Sequence, residues 1–427
     1  MGGEVKNMRV LVTVLCALVV VVACGKAPVG TIPASGDYKL YEAASTQNAQ
    51  LVSVIDSRSH SVERSLALGT PSPDWTHLYS VNSKTLVDVD PNTGATLHTQ
   101  QLPGDFQLPP ATLSGVPGGL SQNGQWLVLQ AFDSHPTTVP TATHLLLVDT
   151  SYSRATTRID LQGFFQFDAV SNDGLRIYLV QFVSDTDYYV RFYDVGLGRL
   201  DPTVIFDKSD GNAAMVGLRL SGVASADGHW LYSVYARKDK SAFIHMLSMD
   251  NPIAFCIDLP GSGYSSNPAD FSWSLALNRD GSHLYAANLA LGIVADVNTG
   301  GSGVASITRT VHVASTGPTA SILAQDVQAK AFGANGVVLS PDGQTLVMSG
   351  AGVVWLDTAT LHVQSRQLTD WTVWSLALSP DGNKLYVVND AGKIAEMPMT
   401  GPHVATTFGG GPGQPLALIR VTAAQVP

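Results

Sequence analysis

From residue 37 onward the chain alternates short apolar runs with polar turns, and one order of runs and turns recurs. A turn of the Ser-Pro-Asp-Gly type is followed by two variable residues and then an aliphatic–aromatic run. Seven segments carry it: Ser72-Pro73-Asp74 with Leu78-Tyr79, Ser121-Gln122-Asn123-Gly124 with Trp126-Leu127, and Ser171-Asn172-Asp173-Gly174 with Ile177-Tyr178. Ser225-Ala226-Asp227-Gly228 with Leu231-Tyr232 and Asn278-Arg279-Asp280-Gly281 with Leu284-Tyr285 follow. The last are Ser340-Pro341-Asp342-Gly343 with Leu346-Val347 and Ser379-Pro380-Asp381-Gly382 with Leu385-Tyr386. The steps between them are 49, 50, 54, 53, 62 and 39 residues. Asp-Gly between apolar runs predicts a hairpin, because Gly accepts the positive φ that the turn requires.

An apolar run precedes each turn, as in Trp374-Ser375-Leu376-Ala377-Leu378, and two more follow it. In the first unit these are Thr85-Leu86-Val87-Asp88-Val89-Asp90 and, after Asn92-Thr93-Gly94, Thr96-Leu97-His98-Thr99. Four antiparallel strands in a unit of this length predict an all-β fold, a β-propeller of four-stranded blades stacked around an axis. Tyr38-Lys39-Leu40-Tyr41 and the runs at 51–56 and 61–68 supply three strands of a further unit, and Pro415-Leu416-Ala417-Leu418-Ile419 resembles its missing first strand. Pairing of the N- and C-terminal strands would then close the ring, and the count of strand groups is eight. Seven blades result if residues 61–68 serve instead as the inner strand of the first repeat.

The units resemble the YVTN-type β-propeller repeat family, related to WD40-like and lactonase-like propellers. Residues 379–389 read SPDGNKLYVVN, and residues 52–56 read VSVID. The resemblance spans nearly all of residues 37–421 and implies architecture rather than activity. Spacing departs from the family, as do long loops near residues 105–118, 131–143 and 314–335.

The N-terminus changes the picture of location. Lys6 and Arg9 precede an apolar run at residues 10–22 and then Ala23-Cys24. A basic start, an apolar stretch shorter than the roughly 20 residues that span a bilayer, and a small residue before a cleavage point describe a secretory signal. Val21-Val22-Ala23-Cys24 resembles the lipobox of bacterial lipoproteins, which implies lipidation of Cys24 and anchoring to the membrane at the cell envelope, outside the cytoplasm. The chain divides into a signal at 1–23, a Gly/Pro/Ala-rich tether at 24–36 and one propeller domain at 37–427. Removing Lys6, Arg9 and Glu4 with the signal leaves 22 basic and 33 acidic residues, a balance of −11. That balance argues against nucleic-acid binding. Only four Glu and ten Lys against 30 Asp fit a chain with few helices. Cys256 is the one Cys left beside Cys24, so no intramolecular disulfide is expected, and its apolar run predicts a buried strand thiol.

In propellers the loops between blades share a face with the hairpin between each blade's second and third strands. That places the long loops at 104–118, 130–144, 207–217, 260–273, 315–336 and 368–374 on one rim, opposite the Asp-Gly turns. This rim carries Asp185, Asp187, Tyr188, Arg237, Lys238, Asp239, Lys240, Tyr264, Asp270, Trp273, Asp326, Trp371 and Trp374. Trp371, Trp374, Trp273, Tyr264, Asp270 and Arg237 are the candidate ligand-binding residues. Trp273 and Trp374 open identical Trp-Ser-Leu-Ala-Leu strands, so they form either an aromatic platform for sugar or peptide or packing between blades. Asp185 and Asp187 could offer oxygens to Ca²⁺ but also suit a solvated hairpin tip. His77, His229 and His283 lie beside the Asp-Gly turns and read as solvent-facing. No HExxH or Gly-x-Ser-x-Gly pattern is present, and no catalytic residue, metal or cofactor is assigned.

The reading that follows is a monomeric, lipid-anchored propeller that binds an envelope protein, peptide or glycan on its loop-rich face without chemistry. The alternative is a propeller enzyme of lactonase-like or quinoprotein-like type, using Asp, His and Arg at the channel mouth.

Overall fold

The computed structural model describes residues 37–111, 116–132, 139–184, 187–206, 215–300, 305–314 and 336–424. The signal, the tether with Cys24, Asp185, Asp326 and most of the 314–335 loop lie outside these residues. Among the described residues a single 3₁₀ turn, Pro268–Ser272, is the only helix, and the chain is an all-β β-propeller.

The Asp-Gly turns form as their chemistry dictates. In Ser379–Lys384 the Ser379 hydroxyl donates to Asp381 Oδ1 at 2.5 Å and accepts the Lys384 N–H at 2.9 Å. Gly382 sits at φ +71° and donates its N–H to the Ser379 carbonyl at 2.8 Å. The same bonds recur at Ser121, Ser171, Ser225 and Ser340. The first turn makes the same bonds, Ser72 to Asp74 at 2.6 Å and the His77 N–H to Ser72 at 3.0 Å, but Trp75 stands where the others have Gly and holds φ +63°. Trp75 is buried edge-on against Tyr41, ring centroids 4.8 Å apart, beneath the Arg420 guanidinium at 5.6 Å.

Among the described residues seven antiparallel sheets follow in chain order. The first joins the strands Tyr38–Ser45, Gln50–Asp56 and Ser61–Ala67 to the C-terminal Gln414–Ala423, with Tyr38 opposite Ala423 and Ser45 opposite Gln414. Residues 61–67 therefore form the outer edge of this sheet. The second spans residues 70–101, the third 126–162, the fourth 165–216, the fifth 218–258, the sixth 274–312 and the seventh 337–409. In the third sheet Gln107 and Leu120 lie beside the strand Trp126–Phe132 through isolated bridges to Gln130 and Leu127.

The seventh sheet corrects one expectation. Residues 368–374 do not make a loop: they lie within the 16-residue strand Val363–Leu378. Its first half pairs with Thr345–Asp357, where the register jumps from Val353 opposite Gln367 to Ala351 opposite Thr372. Its second half pairs with Lys384–Asn389, Val373 opposite Asn389. One strand thus serves two neighbours and makes the sheet six-stranded.

Apolar side chains pack between consecutive sheets. Leu40, Ile55, Tyr386 and Val388 fill the space between the seventh sheet and the first, and Tyr41, Val54, Leu68 and Trp75 that between the first and second. Similar clusters follow around the molecule, including one between the two halves of the seventh sheet around Trp355, Leu376 and Val387. Alternating apolar strands force this arrangement, since each blade has two faces to cover.

Candidate functional site

The structure brings four of the six candidate residues together, where the hairpin after Trp230–Ala236 meets the connection from the fifth sheet to the sixth. Arg237 leaves the strand end and folds back. Its Nε donates to the Ser241 carbonyl at 2.6 Å, its guanidinium pairs with Asp258 at 2.5 Å, and it stacks over Phe243 at 4.8 Å. The 260–273 connection lies across this hairpin. The N–H groups of Tyr264 and Ser265 donate to the carbonyls of Arg237 and Lys238 at 3.0 and 2.9 Å, and the Ser265 hydroxyl donates to Asp239 at 2.8 Å. Tyr264 stacks on Phe271 at 4.5 Å, and the 3₁₀ turn, capped by Asn267, directs Asp270 inward. These bonds fix the tip, so that Lys238, Asp239 and Lys240 stay exposed on an ordered support.

Two of the gathered residues offer no surface to a ligand. Trp273 is 2% exposed and packs among Leu220, Ile244 and Leu284, which corrects the reading of it as part of a platform. Asp270 is fully buried; it accepts the Trp273 Nε1–H at 3.3 Å, and burial pushes its carboxyl up to about 6. Both act by holding the connection in place. Trp371 and Trp374 belong to other packing clusters, half-buried at the centre and end of the seventh sheet, so the identical Trp-Ser-Leu-Ala-Leu runs do not give equivalent exposure. Asp187 opens the strand Asp187–Asp194 opposite Val216, and Tyr188 beside it is 1% exposed against Tyr235. Cys256 is half-buried on the strand Ala254–Asp258, opposite His245.

The turn histidines keep one side open to solvent, as expected, and each also faces a carboxylate. His77 Nδ1 lies 2.9 Å from Asp88, His229 Nδ1 2.5 Å from Asp250 and His283 Nδ1 2.8 Å from Asp296. Asp88 and Asp296 are almost wholly buried, and burial raises the Asp88 carboxyl above its ordinary value. The sequence carries a signal for these pairs that the turn motif alone does not reveal. An acidic residue stands inside the apolar run that follows the Leu-Tyr strand, as in Val87-Asp88-Val89 and Ala295-Asp296-Val297.

No family model matches the chain, and no curated protein matches it. Among solved structures, AztD of Citrobacter koseri in its apo form overlays with a TM-score of 0.54 at 12% identity, over 90% of this chain and 97% of that one. Dihydro-heme d1 dehydrogenase NirN, solved in complex with DHE, overlays with a TM-score of 0.55 at 12% identity, over 90% of this chain and 75% of that one. At such identity the likeness is one of fold, and the fold these overlays share with the chain is the β-propeller.

Proposed function

We propose that the protein is a lipidated, extracytoplasmic β-propeller that recognises a protein, peptide or glycan of the cell envelope through its loop-rich rim. The observation that carries this reading is the braced tip at residues 237–241. Exposed charged side chains on a hairpin usually sample many positions, and ordering them on binding costs affinity. Here the 260–273 connection has already ordered the backbone beneath Lys238 and Lys240, which suits recognition of an anionic group. Half-exposed Trp371 would add an aromatic contact elsewhere on the rim. We further read the ring as eight blades, the seventh sheet counting as two divided along the strand Val363–Leu378. The terminal strand pairing and the run of clusters from each sheet to the next support that reading.

One experiment separates the parts. Wild type, Cys24→Ala and Lys238→Ala/Lys240→Ala proteins are expressed in a bacterial host, fractionated, and tested for co-sedimentation with isolated cell-wall glycan and with membranes stripped of protein. Cys24→Ala should leave the membrane fraction while keeping its partner, and the double lysine variant should remain membrane-bound while losing partner binding at an unchanged melting temperature. A wild-type protein that is soluble on fractionation would refute the anchor. Unaltered partner binding by the double variant would refute the tip.

A further inference from the structure

We propose that a cleft between the second and third sheets, on the side of the Asp-Gly turns, binds a small guanidinium compound. The sixth sheet shows what such a group does in this fold. There Asp296 faces Tyr285 across one ladder and Arg309 across the other. The Arg309 guanidinium donates to Asp296 Oδ2 at 3.0 and 2.6 Å through Nε and Nη2, and reaches the carbonyls of Thr358 and Ala359 in the seventh sheet. One planar cation thereby joins a buried carboxylate to the backbone of the next sheet, geometry that a guanidinium suits and a single ammonium does not.

The second sheet repeats the carboxylate, its tyrosine and its histidine but has no arginine, and there His77 lies against both Asp88 oxygens, 3.0 and 2.9 Å away. Asp88 faces Tyr79 across one ladder and His98 across the other, and His77 approaches it as His283 approaches Asp296. Thr150 of the third sheet occupies the place of Thr358. Each hydroxyl donates at 2.7 Å to the carbonyl of a turn glycine, Gly124 and Gly343 respectively. His98, standing where Arg309 stands, is shorter and meets the third sheet through its ring rather than by donating to the backbone of residues 150 and 151. Its ring stacks on Tyr152 at 3.7 Å, and the Tyr152 hydroxyl approaches Asp88 only at 3.4 Å. A cleft of about 570 Å³ stays open among these groups, lined by Asp74, Asp88, His98, Thr150, Ser151 and Tyr152. It holds two carboxylates, and the backbone of residues 150 and 151 corresponds to that which accepts from Arg309. A ligand guanidinium placed here would pair with Asp88 and stack beside the Tyr152 and His98 rings.

The test uses the detergent-extracted full chain and agmatine, an alkylguanidine, in a calorimetric titration, with n-butylamine as the comparison cation. Wild type should bind one agmatine saturably and n-butylamine at least about tenfold more weakly. His98→Arg supplies the missing guanidinium from the chain itself. It should raise the melting temperature and weaken agmatine binding at least about tenfold, whereas His98→Ala, which removes only one stacking ring, should weaken it by no more than about threefold. Asp88→Asn should abolish binding where it folds, but the two His98 variants decide the matter without it. Absence of saturable agmatine binding by wild type up to about 10 mM, or full wild-type affinity in His98→Arg, would overturn the proposal.

Discussion

Glu42 shows how much a single side chain can set in a molecule with so few glutamates. It is 1% exposed, faces Ser53 across the ladder, and accepts the Gly411 N–H at 2.5 Å. Gly410 and Gly411 press directly onto it: a Cβ on Gly410 would lie 2.5 Å from its carboxylate, and one on Gly411 2.0 Å from the Ser53 hydroxyl. The glycine run at 409–413 is therefore a close-fitting cover over a buried acid. Burial pushes that acid from its ordinary 4.5 to about 7. A raised carboxyl favours the folded state while protonated, so its contribution is fully present below pH 4.5 and is lost as the pH rises through 7. The difference corresponds to about 3 kcal/mol. Urea titrations at pH 5 and pH 8 should show wild type losing most of that amount and Glu42→Gln losing much less. Asp270, held up near 6, titrates in the same direction in both proteins, so their difference isolates Glu42. Equal pH dependence in the two would refute the assignment. Trp75 makes the opposite trade. Trp75→Gly would relieve a left-handed backbone costing about 1–2 kcal/mol but forfeit packing of roughly 3–5 kcal/mol, so the variant should be less stable by about 2 kcal/mol. A more stable Trp75→Gly protein would show that strain outweighs packing there. Neither residue was legible in the chain. The Glu42 cover comes from 369 residues away, and Trp75 breaks the turn pattern that identified its neighbours.

Strands and turns were far more legible, because their signals are local. A serine, an acid two residues later and a glycine next to it specify every bond of the turn, and the alternation that follows specifies the hairpin. What local pattern could not supply is pairing that depends on a distant neighbour. Val363–Leu378 carries turn-like residues at 368–372 and bends there, Leu368 at φ +52°, yet it continues as one strand because each half has its own partner. The His–Asp pairs were missed for the same reason, since 11 to 21 residues separate their members and the ladder alone brings them together. The terminal strand Gln414–Ala423 shows the energetic side of such pairing. Leu416, Ala417, Leu418 and Val421 are buried in it, and it pairs along the whole of Tyr38–Ser45. Deleting residues 415–427 should uncover that edge and cost several kcal/mol, at about 25 cal/mol for each Å² of apolar area exposed. A truncated protein that melts with the full-length one would show this strand to be dispensable.

At the scale of the whole molecule, the recurring unit is a scaffold on which small departures create the two candidate sites. The braced tip at 237–241 and the cleft beside Asp88 both arise where one unit differs from the others: a longer connection in one case, a histidine in place of an arginine in the other. The repeat was readable because it recurs; the departures were not, because their meaning lies in what the neighbouring sheet presents. The joining of the first strand to the last also has a consequence in time. Tyr38–Ser45 emerges from the ribosome well before Gln414–Ala423, and until the final strand arrives its edge has no partner. Each molecule thus carries an exposed β-edge for as long as some 370 residues take to follow. If the proposed lipid anchor holds the emerging chain at a membrane surface, it would keep those unfinished edges apart from one another, and so would guard assembly as well as position.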